Sequence, residues 1–192
     1  MERRLLAVIR ASSAAAAVET ARAALAGGVT VLEVAYTTPD AAEAIRQLTE
    51  APLLGAGTVL TAGQAAEAVA AGARFLVSPG VVPEVIAFAR RHGVAVLPGA
   101  ATVTEILTAL EGGADLVKLF PAEVLGLKFL KAVRQVLPQA RLVPTGGITA
   151  DNAGEWLAAG AAAVGVGGWL TDGSPEQVRE RAGRLVDAVS RA

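Results

Sequence analysis

The sequence is defined first by what it lacks. Its 192 residues include no cysteine, one histidine, one methionine and one tyrosine. Without cysteine there are no disulfides and no thiol nucleophile, which suits a cytoplasmic location. A lone histidine and few clustered carboxylates leave no usual metal-ligand set, so no metal and no cofactor are expected. Aromatic residues make up 4% of the chain, too few for base stacking. Seventeen basic residues against eighteen acidic ones give a net charge of −1, with no basic surface for a nucleic acid. The longest apolar run near the start, in MERRLLAVIRASS, is too short for a signal core or a membrane span. Neither a nucleic acid nor a membrane is therefore an expected partner. Lysine is scarce too: Lys118, Lys128 and Lys131 are the only three.

What remains is 53% hydrophobic and rich in alanine and glycine, enough for one substantial core and a single domain over residues 1–192. One phrase recurs: ALAGGVTVLEV, AVAAGARFLVS, ALEGGADLVKL and WLAAGAAAVGV, with RRHGVAVLPG as a looser copy. Each reads as a helix end, a glycine stop and a strand. The glycines, Gly27, Gly72, Gly93, Gly113 and Gly160, recur at about 20 residues or twice that, the length of a βα unit. Pro79, Pro98, Pro121 and Pro144 mark the strands' C-terminal ends, since proline cannot donate within a central strand. The pattern predicts eight strands: Leu5–Arg10, Val29–Tyr36, Leu53–Val59, Arg74–Pro79, Ala95–Gly99, Leu116–Pro121, Arg141–Gly146 and Ala162–Gly168. Eight βα units with apolar strands fit a closed (β/α)8 TIM barrel with short loops. An open doubly wound sheet is the alternative.

Two charges interrupt the apolar strands. Lys118 sits in DLVKLFPAE, and Glu33 sits in TVLEVAY. A buried charge is unfavourable unless it is paired. A structural ion pair is one reading, although desolvation offsets much of its attraction. Two such residues converging on the mouth of a barrel point instead to chemistry. A neutral amine in a dry pocket can attack a carbonyl and form a Schiff base, and a neighbouring carboxylate can move the protons. Arg10 ends strand one and suits a substrate carboxylate, or else begins a surface loop. Gly146, Gly147, Gly167 and Gly168 follow strands seven and eight, where barrels often bind phosphate through backbone amides. His92, before Gly93, reads as a cation at a helix C-terminus.

The segments AGGVTVLEV, GAGTVL, FLVSPG, LPGAATVTE, VKLFPAE, VPTGGI and GVGGWL occur in that order from about Val29 to Leu170. As a set they resemble the family of 2-keto-3-deoxy-6-phosphogluconate (KDPG) aldolase and 4-hydroxy-2-oxoglutarate (KHG) aldolase. The resemblance implies a class I aldolase on a (β/α)8 barrel, assembled as a homotrimer and acting on a small keto acid. By resemblance Lys118 is the Schiff-base lysine and Glu33 the acid/base. Thr58 lines the pyruvate pocket, Pro79, Pro98 and Phe120 form its wall, and Thr145, Gly146 and Gly147 lie at the phosphate end. Two positions depart from the family. Thr37 stands where many members carry an arginine, a role Arg10 can take. Gly168 replaces a serine hydroxyl at the phosphate end, which puts the phosphorylated substrate in question but not the Schiff base.

The expected reaction is cleavage of a 2-keto-4-hydroxy acid to pyruvate and an aldehyde. Two other readings compete with it. A phosphate-binding barrel isomerase or synthase would have no need of Lys118. A non-catalytic sensor would bind a keto acid without turning it over.

Overall fold

Strand and helix alternate along residues 4–192, the residues described by the computed structural model of the protein. The expected domain starts at Met1; residues 1–3 lie outside the described residues. The first half runs β1 (Leu5–Ile9), α1 (Ala14–Ala26), β2 (Val31–Ala35), α2 (Ala41–Gln47), β3 (Leu53–Gly57), α3 (Ala62–Ala71), β4 (Phe75–Val77) and α4 (Pro83–His92). The second runs β5 (Ala95–Leu97), β6 (Gly99–Ala100), α5 (Val103–Glu111), β7 (Val117–Leu119), α6 (Ala122–Val136), β8 (Leu142–Pro144) and α7 (Ala153–Ala158). It ends with β9 (Val164–Val166), a short α8 (Gly168–Thr171) and α9 (Pro175–Ser190).

All pairings between these strands are parallel, and they close a ring. One sheet has the order β5-β4-β3-β2-β1-β9, the other β6-β7-β8. The two meet twice. β5 and β6 are halves of one strand interrupted at Pro98, whose carbonyl accepts from the Lys118 N–H at 3.0 Å. At the other seam Thr145 bridges Gly165 in parallel register. The first strand pairs the last, Leu5 opposite Val164, so the sheet has no free edge. The architecture is a (β/α)8 barrel, and the open doubly wound alternative is set aside.

The predicted strands are all present, and all but the fifth are shorter than predicted. One proline differs from expectation. Pro144 closes β8 as its last residue, whereas Pro98 divides a strand that continues to Ala100. Neither can donate an N–H, so the ladder is interrupted rather than ended at Pro98. The glycine stops behave as predicted: Gly72 and Gly93 cap α3 and α4 in the left-handed conformation. His92 ends α4, its Nδ1 2.8 Å from the Phe88 carbonyl and its ring stacked on Phe88. Thr102 with Glu105 and Ser174 with Gln177 form capping boxes that start α5 and α9.

Burial separates two layers. The larger core lies between strands and helices, where Ile9, Leu32, Ile45, Leu76, Leu119 and Leu185 are among the fully buried side chains. The barrel interior is a smaller cluster of Leu6, Val31, Phe75, Val77, Leu97, Val143 and Ala163. Successive strand residues face opposite sides. The positions two residues beyond the inward Val31, Leu116 and Val143 are therefore inward as well, and they are Glu33, Lys118 and Thr145. An apolar floor thus supports a polar layer toward the C-terminal mouth.

Candidate active site

Lys118 is the middle residue of β7, hydrogen-bonded in register between Gly99 and Val143. Glu33 is the middle residue of β2, between Val8 and Gly55. The strands hold these two side chains across the barrel interior, with Lys118 Nζ 3.5 Å from Glu33 Oε1. Lys118 is 7% exposed and Glu33 is wholly buried. The separation is that of an ion pair, longer than the 2.7–2.9 Å of a charge-assisted hydrogen bond. Both Glu33 carboxyl oxygens accordingly lack a hydrogen-bond partner. Burial pushes the Glu33 carboxyl above its ordinary 4.5, against the opposing pull of Lys118 and, more weakly, Arg10.

Space for Glu33 comes from β3. A Cβ on Gly57 would stand 2.6 Å from Glu33 Oε1 and 2.9 Å from its Cδ. Any side chain there would displace the carboxyl. Thr58 follows immediately, at φ 56°. A β-branched residue is rarely found in that region, so the backbone is strained where it turns Thr58 into the cleft.

Above the pair opens a cleft of about 620 Å³ at the C-terminal ends of the strands. Arg10, Thr58, Pro79, Lys118 and Phe120 line it, as do Thr145, Gly146, Gly147, Gly167 and Gly168. Phe120 holds its ring beneath the amine, with Lys118 Nζ 5.4 Å from the centroid. Glu33 lies below the cleft behind Lys118. Pro98, expected in the wall, does not line it; that residue is buried between β5 and β6. Thr37 is exposed and outside the cleft, while Arg10 is within it. A larger open groove of about 870 Å³ runs over the outer helix layer between α1 and α9, away from the strand ends. Among the described residues no cluster of histidine, aspartate and glutamate is arranged to hold a metal ion.

Sequence reasoning missed Glu123, Thr149, Trp169 and Asp172, which also line the cleft. They lie in the segments after β7, β8 and β9. Glu123 and Trp169 fall within VKLFPAE and GVGGWL without a role of their own there, and a threonine or an aspartate is ordinary in such segments.

The sequence matches the aldolase family of KDPG and KHG aldolase over residues 1–182. The chain belongs to the KDPG and KHG aldolase family. A 2-dehydro-3-deoxy-phosphogluconate aldolase of Treponema pallidum (strain Nichols) is 45% identical over 171 residues, spanning 87% of this chain and 81% of that one. A 2-dehydro-3-deoxy-6-phosphogalactonate aldolase of Escherichia coli (strain K12) is 34% identical over 195 residues, spanning 98% and 95%. The crystal structure of a KDPG aldolase from Legionella pneumophila, with pyruvate captured at low pH as a covalent carbinolamine intermediate, superposes with a TM-score of 0.87. It is 36% identical and covers 95% of this chain and 93% of that one. Within the KDPG and KHG aldolase family this chain thus carries a buried lysine–glutamate pair beneath an open strand-end cleft.

Proposed function

We propose that the protein is a class I aldolase that cleaves a 2-keto-4-hydroxy acid to pyruvate and an aldehyde. One observation carries the reading: a nearly buried amine, 3.5 Å from a wholly buried carboxyl with no hydrogen-bond partner, forms the floor of the cleft. The carbinolamine trapped in the Legionella enzyme supports the same chemistry here.

Neutral Lys118 attacks the substrate C2 carbonyl. Glu33, made a better proton carrier by its burial, protonates the carbinolamine hydroxyl, which leaves as water and gives an iminium. The Glu33 carboxylate then takes the C4 hydroxyl proton, directly or through a water. The C3–C4 bond breaks, the aldehyde departs, and the bonding pair passes into the iminium to give an enamine. Protonation at C3 and hydrolysis release pyruvate and regenerate Lys118. Arg10 and Thr58 hold the substrate carboxylate, and Pro79 and Phe120 shape the wall around C3. Thr145, Gly146, Gly147, Gly167 and Gly168 receive the distal end.

The candidate substrates are 2-keto-3-deoxy-6-phosphogluconate, giving pyruvate and glyceraldehyde 3-phosphate, and 4-hydroxy-2-oxoglutarate, giving pyruvate and glyoxylate. The reading rests on the core they share. No helix of the described residues is long and apolar enough to cross a membrane. The cytoplasm is the proposed location and a homotrimer the proposed assembly. Exposed Val103, Leu107 and Val124 support the assembly.

The test is borohydride reduction in the presence of pyruvate, followed by peptide mass spectrometry. The expected product is a reduced pyruvyl adduct on Lys118, absent from Lys118→Ala, which should also show no turnover. Wild-type-like cleavage by Lys118→Ala would sink the mechanism.

A further inference from the structure

The cleft is uneven in charge. Its cationic side chains are Lys118, paired with Glu33, and Arg10 at the end of β1. The segments after β7 and β9 contribute Glu123 and Asp172. Both residues are exposed, and among the described residues neither carboxylate joins an ion pair. Each takes up space that a glycine leaves free. A Cβ on Gly168 would stand 3.2 Å from Asp172 Oδ2, and one on Gly147 would stand 2.8 Å from Glu123 Oε2. The acids therefore lie against the very glycine segments that form the distal end. The nearby arginines are engaged elsewhere. Arg181 donates to the Trp169 and Asp172 carbonyls, and Arg184 lies 5.5 Å over the Trp169 ring while donating to Asp151.

A distal group here meets neutral amides, the hydroxyls of Thr145 and Thr149, and full negative charges. A phosphate monoester carries close to two negative charges at neutral pH and offers mainly acceptors. It is repelled by a carboxylate a few ångströms away even in water. A hydroxyl can instead donate to that carboxylate.

We propose that Asp172 is a specificity-determining residue. Its carboxylate disfavours a phosphate at the distal end and favours substrates whose aldehyde half ends in a neutral hydroxyl. The inference rests on the Schiff-base reading, keeps its 2-keto-4-hydroxy acid core, and moves the distal end from the phosphate or carboxylate of the two candidates to a neutral hydroxyl.

The test is condensation of pyruvate with glyceraldehyde and with glyceraldehyde 3-phosphate, comparing wild type with Asp172→Asn at fixed ionic strength. The readout is the ratio of kcat/KM, phosphorylated over unphosphorylated. Taken within one protein, it cancels any difference in folded fraction. Removing the charge should raise the ratio about tenfold, and the rise should shrink near 1 M salt as screening shortens to about 3 Å. An unchanged or lower ratio in Asp172→Asn overturns the proposal. Borohydride trapping of pyruvate on both proteins separates the two levels. An adduct on Lys118 with an unchanged ratio sinks the charge-selection role alone, whereas no adduct on wild type sinks the Schiff-base reading beneath it.

Discussion

Glu33 shows how one side chain's surroundings set its chemistry. Its carboxyl is wholly buried, without a hydrogen-bond partner, and desolvation holds it above the ordinary 4.5. It faces Lys118 at 3.5 Å. Glu33 must give its proton to the carbinolamine before it can take the one on the C4 hydroxyl, and burial makes it hold that proton to a pH above 4.5. The pH dependence of kcat/KM should therefore contain an ionisation above 4.5 that Glu33→Gln removes, and the substitution should slow turnover by about 10²–10⁴-fold. Initial rates across pH 4 to 9 check both outcomes. Stability has a matching sign. Stability from the neutral carboxyl is complete below the ordinary value and is lost as pH rises through the raised one. Wild type should lose unfolding free energy relative to Glu33→Gln over that window. Glu33 and Lys118 were legible because each is a charge inside an apolar strand. Asp172 and Glu123 were not, because an acid after a short helix or in a helix's first turn is commonplace and only the folded chain sets it beside Gly168 or Gly147.

Among the elements, the helix–glycine–strand phrase was readable because each copy carries its own stop signal. What it could not convey is closure. The same alternation serves an open sheet, and the choice is made by β1 pairing β9 and by Thr145 bridging Gly165. Pro98 misled for a related reason: proline interrupts a ladder wherever it falls, and only the partner strand shows that pairing resumes at Gly99. The helix ring must close as well, and α1 packs on α9 to close it. Gly27, the C-cap of α1, meets α9 so closely that a Cβ would run into the Ala182 side chain and the Arg179 carbonyl. Its φ of −84° is open to any residue, so contact alone demands glycine. Gly27→Ala should destabilise the barrel by about 1–3 kcal/mol in urea unfolding, with the helices forced apart. Ala182→Gly in the same chain should recover part of the loss, because it removes one of the two obstructions. Full stability in Gly27→Ala would mean that this seam yields without strain.

For the whole molecule, assembly is the property least visible in the sequence. In α5 apolar residues occur on both faces, as VTEILTALE, so periodicity alone cannot separate core from contact surface. The fold separates them. Ile106 and Ala109 are buried, whereas Val103 and Leu107, four residues apart on one face, are 39% and 40% exposed. Val124, 77% exposed, lies near the start of α6, the next helix round the barrel. Single exposed apolar residues are ordinary, but three on adjacent helices near the mouth offer a strip for a neighbouring protomer. A ring of three closes by repeating one such contact. The strip also flanks the segment bearing Phe120, so assembly would cover ground beside the cleft. Light scattering of the wild type should give three times the 19.3 kDa chain mass. Leu107→Glu places a charge in each copy of the contact and should shift that mass toward one chain at micromolar concentration. Circular dichroism should stay unchanged, since Leu107 supports no core of its own protomer. A wild-type mass of one chain would remove the trimer, and a Leu107→Glu protein that stays trimeric would move the interface away from α5.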